Sequence, residues 1–254
     1  GGAELPHVDA MRLAERVAWA HGSAGWCVVV NNAVGGVLSV LLPDDGAREV
    51  FADGPDTMVA GNGVPRGFAR KVEGGYLIKG HWAYGSGIHH AKWIHSGCFL
   101  TDEDGNMLKL ANGAPRIVVT HHPRDTIVLK GNWDVLGLRA TGSFDYTLKD
   151  GAELFVPDRC CYDFAVAEAQ RGGKQSTLGL VGYTAWGHTS WALGVGRRML
   201  DEIAKFASKR VDAFGKMNEG GVFKFEFARA EAKYRSARAF IYQSWAGLAD
   251  TFAH

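Results

Sequence analysis

Gly80-His81-Trp82-Ala83-Tyr84-Gly85-Ser86-Gly87-Ile88-His89-His90-Ala91-Lys92-Trp93 is the stretch on which the fold reading turns. It continues a segment, Tyr76 to Trp82, that leaves a Glu73-Gly74-Gly75 turn and carries the aromatic and branched residues of a strand. Downstream, Asp104-Gly105-Asn106 and Asp150-Gly151 punctuate further short runs, of which Arg116 to Thr120 and Thr126 to Leu129 also read as strands. The middle of the chain is therefore predicted to be β, as a small antiparallel sandwich or barrel.

Both flanks change period. From Pro6 to about His21, the apolar residues Val8, Met11, Leu13, Val17 and Ala18 recur at helical spacing. Ser23 stands as an N-cap ahead of a second helix, nearly all apolar from Trp26 to Leu42 and stopped by Pro43. Leu178 to Ala207 and Phe223 to Phe252 predict two long antiparallel helices, parted by glycines at 215, 220 and 221. Neither hides its apolar face alone, so both need bundle partners. The expected class is α+β, with helical residues 1–55, a β-domain at 56–165 and a partial helical bundle at 166–254. The abrupt start and stop imply missing helices at both ends.

Composition excludes several classes. Twenty-eight Lys and Arg against 27 Asp and Glu leave a net charge of +1, so no broad field for nucleic acid or an anionic membrane exists. Cys27, Cys98, Cys160 and Cys161 fit neither a zinc pattern nor a secreted disulfide framework, which favours a reducing cytoplasm. No apolar run free of polar interruption reaches the length of a membrane span, since Asn31, Asn32 and Ser39 break the longest, and no signal peptide is visible. His89-His90 and His121-His122 invite a metal, but neighbours on a strand point to opposite faces, so no metal site is expected.

The order of helices, β-domain and long-helix bundle resembles the acyl-CoA dehydrogenase superfamily. Gly80 to Trp93 is similar, without a gap, to that family's G-x-K-x-W-I-T-N-G stretch followed by A-x-W. Its Trp-x-x-x-Ser-Gly form is closer to the flavin monooxygenases related to 4-hydroxyphenylacetate hydroxylase. The resemblance implies that Tyr84 lies beside an isoalloxazine ring and that Ser86 is the catalytic residue, its hydroxyl bonding the flavin near N5. A hydroxyl both donates and accepts, so it can serve N5 in either oxidation state. Gly85, Asn62 and Gly63 are implied as further flavin contacts, the last two in Val59 to Pro65, where dehydrogenases carry T-E-P-G-A-G-S-D and this chain does not. Trp133 to Ser143 resembles the family's G-(M/I)-R-x-T/S-x-S stretch. Arg210 to Lys216 resembles its R-x-x-F-G-K turn with one residue extra, which implies that Arg210, with Phe214, reaches the flavin phosphate of a neighbouring subunit.

Asn31 and Asn32, which interrupt an apolar helix, and Trp186 and His188, on the first long helix, are the implied substrate contacts. Amide pairing between helices and a satisfied core histidine are the plainer readings of Asn31, Asn32 and His188. Gly61-x-Gly63 with Gly67 has the wrong spacing for a dinucleotide fingerprint, so reduced FMN or FAD is expected from a separate reductase. The implied activity is that of a two-component oxygenase, hydroxylating a small aromatic or apolar compound through a C4a-hydroperoxyflavin in a homotetramer. An acyl-CoA dehydrogenase and a flavin-free oligomeric scaffold are the alternatives.

Overall fold

The computed structural model describes residues 5–172, 179–213 and 215–253. By contact the chain falls into two units, one of Gly1–Glu4 and Val30–Tyr183, the other of Leu5–Val29 and Thr184–His254.

The first unit is built on a mixed sheet. Its strands are β1 (Val59–Val72), β2 (Gly75–Gly85), β3 (Trp93–Thr101), β4 (Ile117–Pro123), β5 (Ile127–Leu129), β6 (Phe144–Leu148), β7 (Leu154–Pro157) and β8 (Cys161–Asp163). They run in the order β5-β6-β2-β1-β3-β4-β8, with β7 paired to the first half of β2. The expected all-antiparallel arrangement is corrected at one pair, because β1 and β3 are parallel. The connection between them runs through the whole of β2 and the Ser86–His90 turn, so β3 enters the sheet on the far side of β1 in the same direction.

Trp82 is the anchor of this sheet. Its fully buried indole lies where Cβ atoms at Gly67 and Gly80 would fall 2.3 and 3.0 Å from it, stacks on Tyr146 at 5.4 Å and donates to Gly97 O at 2.7 Å. Around it Ile78, Ile88, Ile94, Cys98, Val118 and Leu148 close one core.

Helix α2 (Gly22–Leu41) begins one residue before the predicted Ser23 cap and gives its last residues, from Val30, to this unit. Val37, Leu38 and Leu42 pack with Val50, of α3 (Asp44–Val50), and with Val59, Val119 and Tyr162. Arg171 closes the end, donating to Ser39 O at 2.6 Å and Leu42 O at 2.7 Å and pairing with Asp44. Contrary to the sequence expectation, α2 is long and apolar enough to cross a membrane by length and composition, yet one stripe of it is core.

The second unit holds α1 (His7–Ala20), most of α4 (Gly179–Lys209) and α5 (Gly221–Ala253). Arg197 of α4 bonds Glu231 at 2.8 Å and stacks on Tyr234 of α5, as helices running antiparallel from a shared hairpin do. Glu15 of α1 receives Tyr234 Oη at 3.1 Å, Tyr242 Oη at 2.5 Å and Arg238 Nε at 2.8 Å. A Cβ at Gly194 would stand 2.3 Å from Glu15 O, so glycine permits the close approach of α1 and α4.

Candidate active site

Two neighbouring strands of the first unit are bulged, and the bulges are tied together. In β1 the pairing jumps from Asn62↔Ser96 to Gly67↔Cys98, so residues 63–66 loop out of the ladder. Gly97 permits this, because a Cβ there would meet Gly63 O at 2.0 Å. In β2 the register slips between Trp82↔Tyr146 and Gly85↔Phe144, one residue being added on the β2 side. Asn62 bridges the two: its Nδ2 donates to Ala83 O at 2.7 Å, and its Oδ1 accepts Val64 N at 2.9 Å. Bulges re-aim side chains and concentrate beside functional sites.

Tyr84 lies inside the second bulge with φ of 62°, a left-handed conformation that an aromatic residue rarely takes. Such a conformation costs of order 1–3 kcal/mol and persists only where its surroundings enforce it. Here its N–H donates to Asp145 Oδ1 at 3.3 Å, and its exposed ring meets Trp133 edge to face at 6.2 Å. Leu138, with φ of 55°, is a second such residue and opens the Arg139–Thr141 turn. Two of the three non-glycine residues with positive φ among the described residues thus belong to this region.

Ser86 sits between Gly85, the last residue of β2, and Gly87, whose φ is 73°. It is therefore one residue beyond the strand on which it was expected, held by its N–H to Tyr84 O at 2.9 Å and by Gly87 N to Thr141 O at 2.8 Å. His89 and His90 share this turn and are not strand residues either. The Ser86 side chain is 8 % exposed and begins a row of hydroxyls: Ser86 Oγ to Ser143 Oγ at 2.7 Å, Ser143 Oγ to Thr141 Oγ1 at 2.7 Å, Thr141 Oγ1 to Leu138 O at 2.9 Å. Sequence reasoning quoted residues 141 and 143 as motif letters but gave them no role; their alternation, which puts both on one side of an extended segment, was the available signal.

A buried polar layer supports the Asn62 bulge. Tyr146 Oη accepts Asn62 N at 3.1 Å, donates to His95 O at 2.9 Å and lies 3.1 Å from Ser96 Oγ, which in turn meets His122 Nε2 at 3.1 Å. His122 Nδ1 lies 2.6 Å from Thr126 Oγ1. His121 Nδ1 faces Cys160 O at 3.0 Å; a carbonyl only accepts, so Nδ1 carries the proton and Nε2 is a buried acceptor with no partner among the described residues. Desolvation, then the neighbouring His121, pushes His95 down to about 3; desolvation alone takes His121 to about 4, and desolvation with the His121 charge takes His122 to about 3. All three are neutral near pH 7. No group of ligands able to hold a metal occurs among the described residues.

The remaining predicted residues are placed as follows. Asn31 is buried, with Nδ2 unpartnered among the described residues, and Asn32 is exposed. These two belong to the first unit. In the second, Trp186 is half-buried, and exposed His188 spends Nδ1 on Thr184 O at 2.7 Å and meets Trp26 edge to face at 5.2 Å. Arg210 is exposed at the end of α4, where β9 (Val211–Asp212) and β10 (Gly215–Lys216) form a small hairpin. Phe214 lies outside the described residues. Two concavities, of about 310 Å³ beside Val128 and Leu148 and about 300 Å³ beside Glu15 and Arg197, are not lined by Ser86.

Residues 186–253 match the family model of the acyl-CoA dehydrogenase C-terminal domain. The chain is 31 % identical over 252 residues to an indole-3-acetate monooxygenase of Pseudomonas putida, covering 96 % of this chain and 60 % of that protein. It is 30 % identical over 247 residues to a pigment production hydroxylase of Rhodococcus erythropolis, covering 94 % and 61 %. The chain thus spans about three fifths of the length of these relatives. Among solved structures, XiaF from Streptomyces sp. in complex with FADH2 and glycerol superposes with a TM-score of 0.85 at 22 % identity, covering 98 % of this chain and 63 % of that one. That likeness establishes the fold, with its mixed sheet and C-terminal helices.

Proposed function

We propose, on the premise that the chain falls in the acyl-CoA dehydrogenase superfamily on its flavin-dependent monooxygenase branch, that the protein is the oxygenase component of a two-component monooxygenase acting on a small aromatic or other apolar compound. The observation that carries the proposal is Ser86, a buried hydroxyl at the end of a bulged strand, held by a row of neutral groups beside a strained and exposed aromatic, Tyr84.

These residues suit a flavin ring. An isoalloxazine needs an apolar neighbour for its flat face and a hydrogen-bonding group at N5, and Tyr84 and Ser86 are of those two kinds. Asn62, Gly63 and Gly85, locked by the Asn62 bridge between bulges, would line the ring, and Arg210 with Phe214 would take the flavin phosphate across a subunit boundary of a homotetramer. Asn31, Asn32, Trp186 and His188 are the proposed substrate contacts. When bound, reduced FMN or FAD supplies the two electrons that split oxygen, one atom passing to the substrate as hydroxyl and the other to water. Ser86 orients the ring with a group that does not move during the reaction. The glycines nearest to a nicotinamide fingerprint, Gly61, Gly63 and Gly67, all lie within β1, which supports delivery of reduced flavin by a separate reductase in the cytoplasm.

Supplying the complete protein with photoreduced FMN, labelled dioxygen and a panel of indoles and phenols tests the proposal. One labelled oxygen per flavin oxidised is expected in a hydroxylated product. Flavin oxidation that yields only peroxide with every aromatic, together with anaerobic bleaching of oxidised flavin by an acyl-CoA, would move the assignment to a dehydrogenase.

A further inference from the structure

The row of hydroxyls ending at Ser86 has a direction. Leu138 O is a carbonyl and can only accept, so the 2.9 Å bond commits the proton of Thr141 Oγ1 to it. Thr141 must then accept from Ser143, which lies 2.7 Å away and gives up its own single proton in doing so. Ser143 in turn accepts from Ser86 at 2.7 Å. Each hydroxyl owns one proton, and all three point toward the carbonyl. The carbonyl itself is fixed by an unusual backbone, since Leu138 holds φ of 55° and also receives Thr141 N at 3.1 Å.

We infer that Thr141 and Ser143 are positioning residues that commit the Ser86 proton to the protein and leave Ser86 Oγ to act toward a ligand as an acceptor, so that the site discriminates for a ring nitrogen bearing hydrogen. The inference rests on the flavin reading above and deepens it. N5 of reduced flavin carries a hydrogen and donates; N5 of oxidised flavin has only a lone pair, which would face the lone pair of Ser86. A site wired in this sense retains reduced flavin and releases oxidised flavin, which is what an oxygenase fed by a separate reductase requires. The same hydroxyl without the row behind it would rotate and serve both forms.

The test is the affinity of the complete protein for FMN in its two redox states, measured anaerobically for the reduced form. The native protein is expected to bind reduced FMN at least about tenfold more tightly than oxidised FMN, equivalent to roughly 1.4 kcal/mol. Thr141→Val and Ser143→Ala release the Ser86 proton, and both should tighten oxidised FMN until the preference falls about tenfold, with reduced binding little changed. Thr141→Ser keeps the hydroxyl and should restore the native ratio. Ser86→Ala should lower the ratio by the opposite route, weakening reduced FMN alone. An unchanged ratio in Thr141→Val and Ser143→Ala alongside a fallen ratio in Ser86→Ala overturns the directed row and leaves the flavin reading standing. Equal weakening of both redox states in Thr141→Val and Thr141→Ser makes the row merely structural and also overturns it. A native protein that binds FMN in neither state overturns both the row and the flavin reading.

Discussion

Serine 86 was legible because its neighbours are spaced as in a known motif, and its partners were not because they lie far away in the chain. Ser86 and Ser143 are 57 residues apart, and nothing in the letters of the Trp133 to Ser143 stretch announces that its hydroxyls point back at position 86. The left-handed backbone at Tyr84 was hidden for a different reason: aromatic residues seldom adopt it, so only the bulge in the β2–β6 register reveals it. Flanking glycines at 85 and 87 were the visible sign that Ser86 belongs to a turn. With an oriented hydroxyl removed, oxygen activation should continue while transfer to substrate fails. Ser86→Ala is expected to cut hydroxylated product per flavin oxidised by about tenfold to a hundredfold, with hydrogen peroxide rising in its place. Product and peroxide measured on the same samples check this, and undiminished coupling would remove Ser86 from the chemistry.

Among the elements, the long helices α4 and α5 and the β character of the middle region follow from period alone, but strand partnership does not. The parallel β1–β3 pair depends on where a connection returns, which local propensity does not encode. The histidines of β3 and β4 show the same limit: adjacency suggested a metal pair, whereas burial makes His95, His121 and His122 a neutral layer beneath the Asn62 bulge. That layer predicts acid lability. Folding lowers each histidine below its ordinary value of 6.5, so beneath that pH the unfolded chain binds more protons than the folded one. The stabilisation is complete above pH 6.5 and is lost as pH falls toward about 4 for His121 and about 3 for the other two. Each histidine contributes a slope of about 1.4 kcal/mol per pH unit, so the three together approach about 4 kcal/mol per unit. Urea unfolding at pH 7.5, 6.5, 5.5 and 5.0 should show a flat region followed by a steep fall, and His122→Gln should remove about a third of the slope. Stability unchanged down to pH 5 would contradict the neutral-layer reading.

At the scale of the whole molecule, composition divides the chain at residues 55 and 165, while contacts group Leu5–Val29 with Thr184–His254. Helix α1 joins the long helices because Glu15 is held by Tyr234, Tyr242 and Arg238, a cluster assembled from opposite ends of the sequence. Such closure is not written in any local period. The resemblance to the superfamily reached it by analogy, and the same analogy assigns Arg210, in the second unit, to the phosphate of a flavin whose ring contacts are in the first. Arg210→Ala is expected to weaken FMN about tenfold while leaving riboflavin, which has no phosphate, unchanged; equal weakening of both would remove Arg210 from the phosphate site. The account as a whole stands on the place of one hydroxyl, and a crystal structure of the complete protein with reduced FMN or FAD measures it directly. The prediction is Ser86 Oγ within about 3.2 Å of flavin N5, with Tyr84 alongside the ring. A flavin bound with N5 facing any other group, and Ser86 beyond hydrogen-bonding reach, would contradict it.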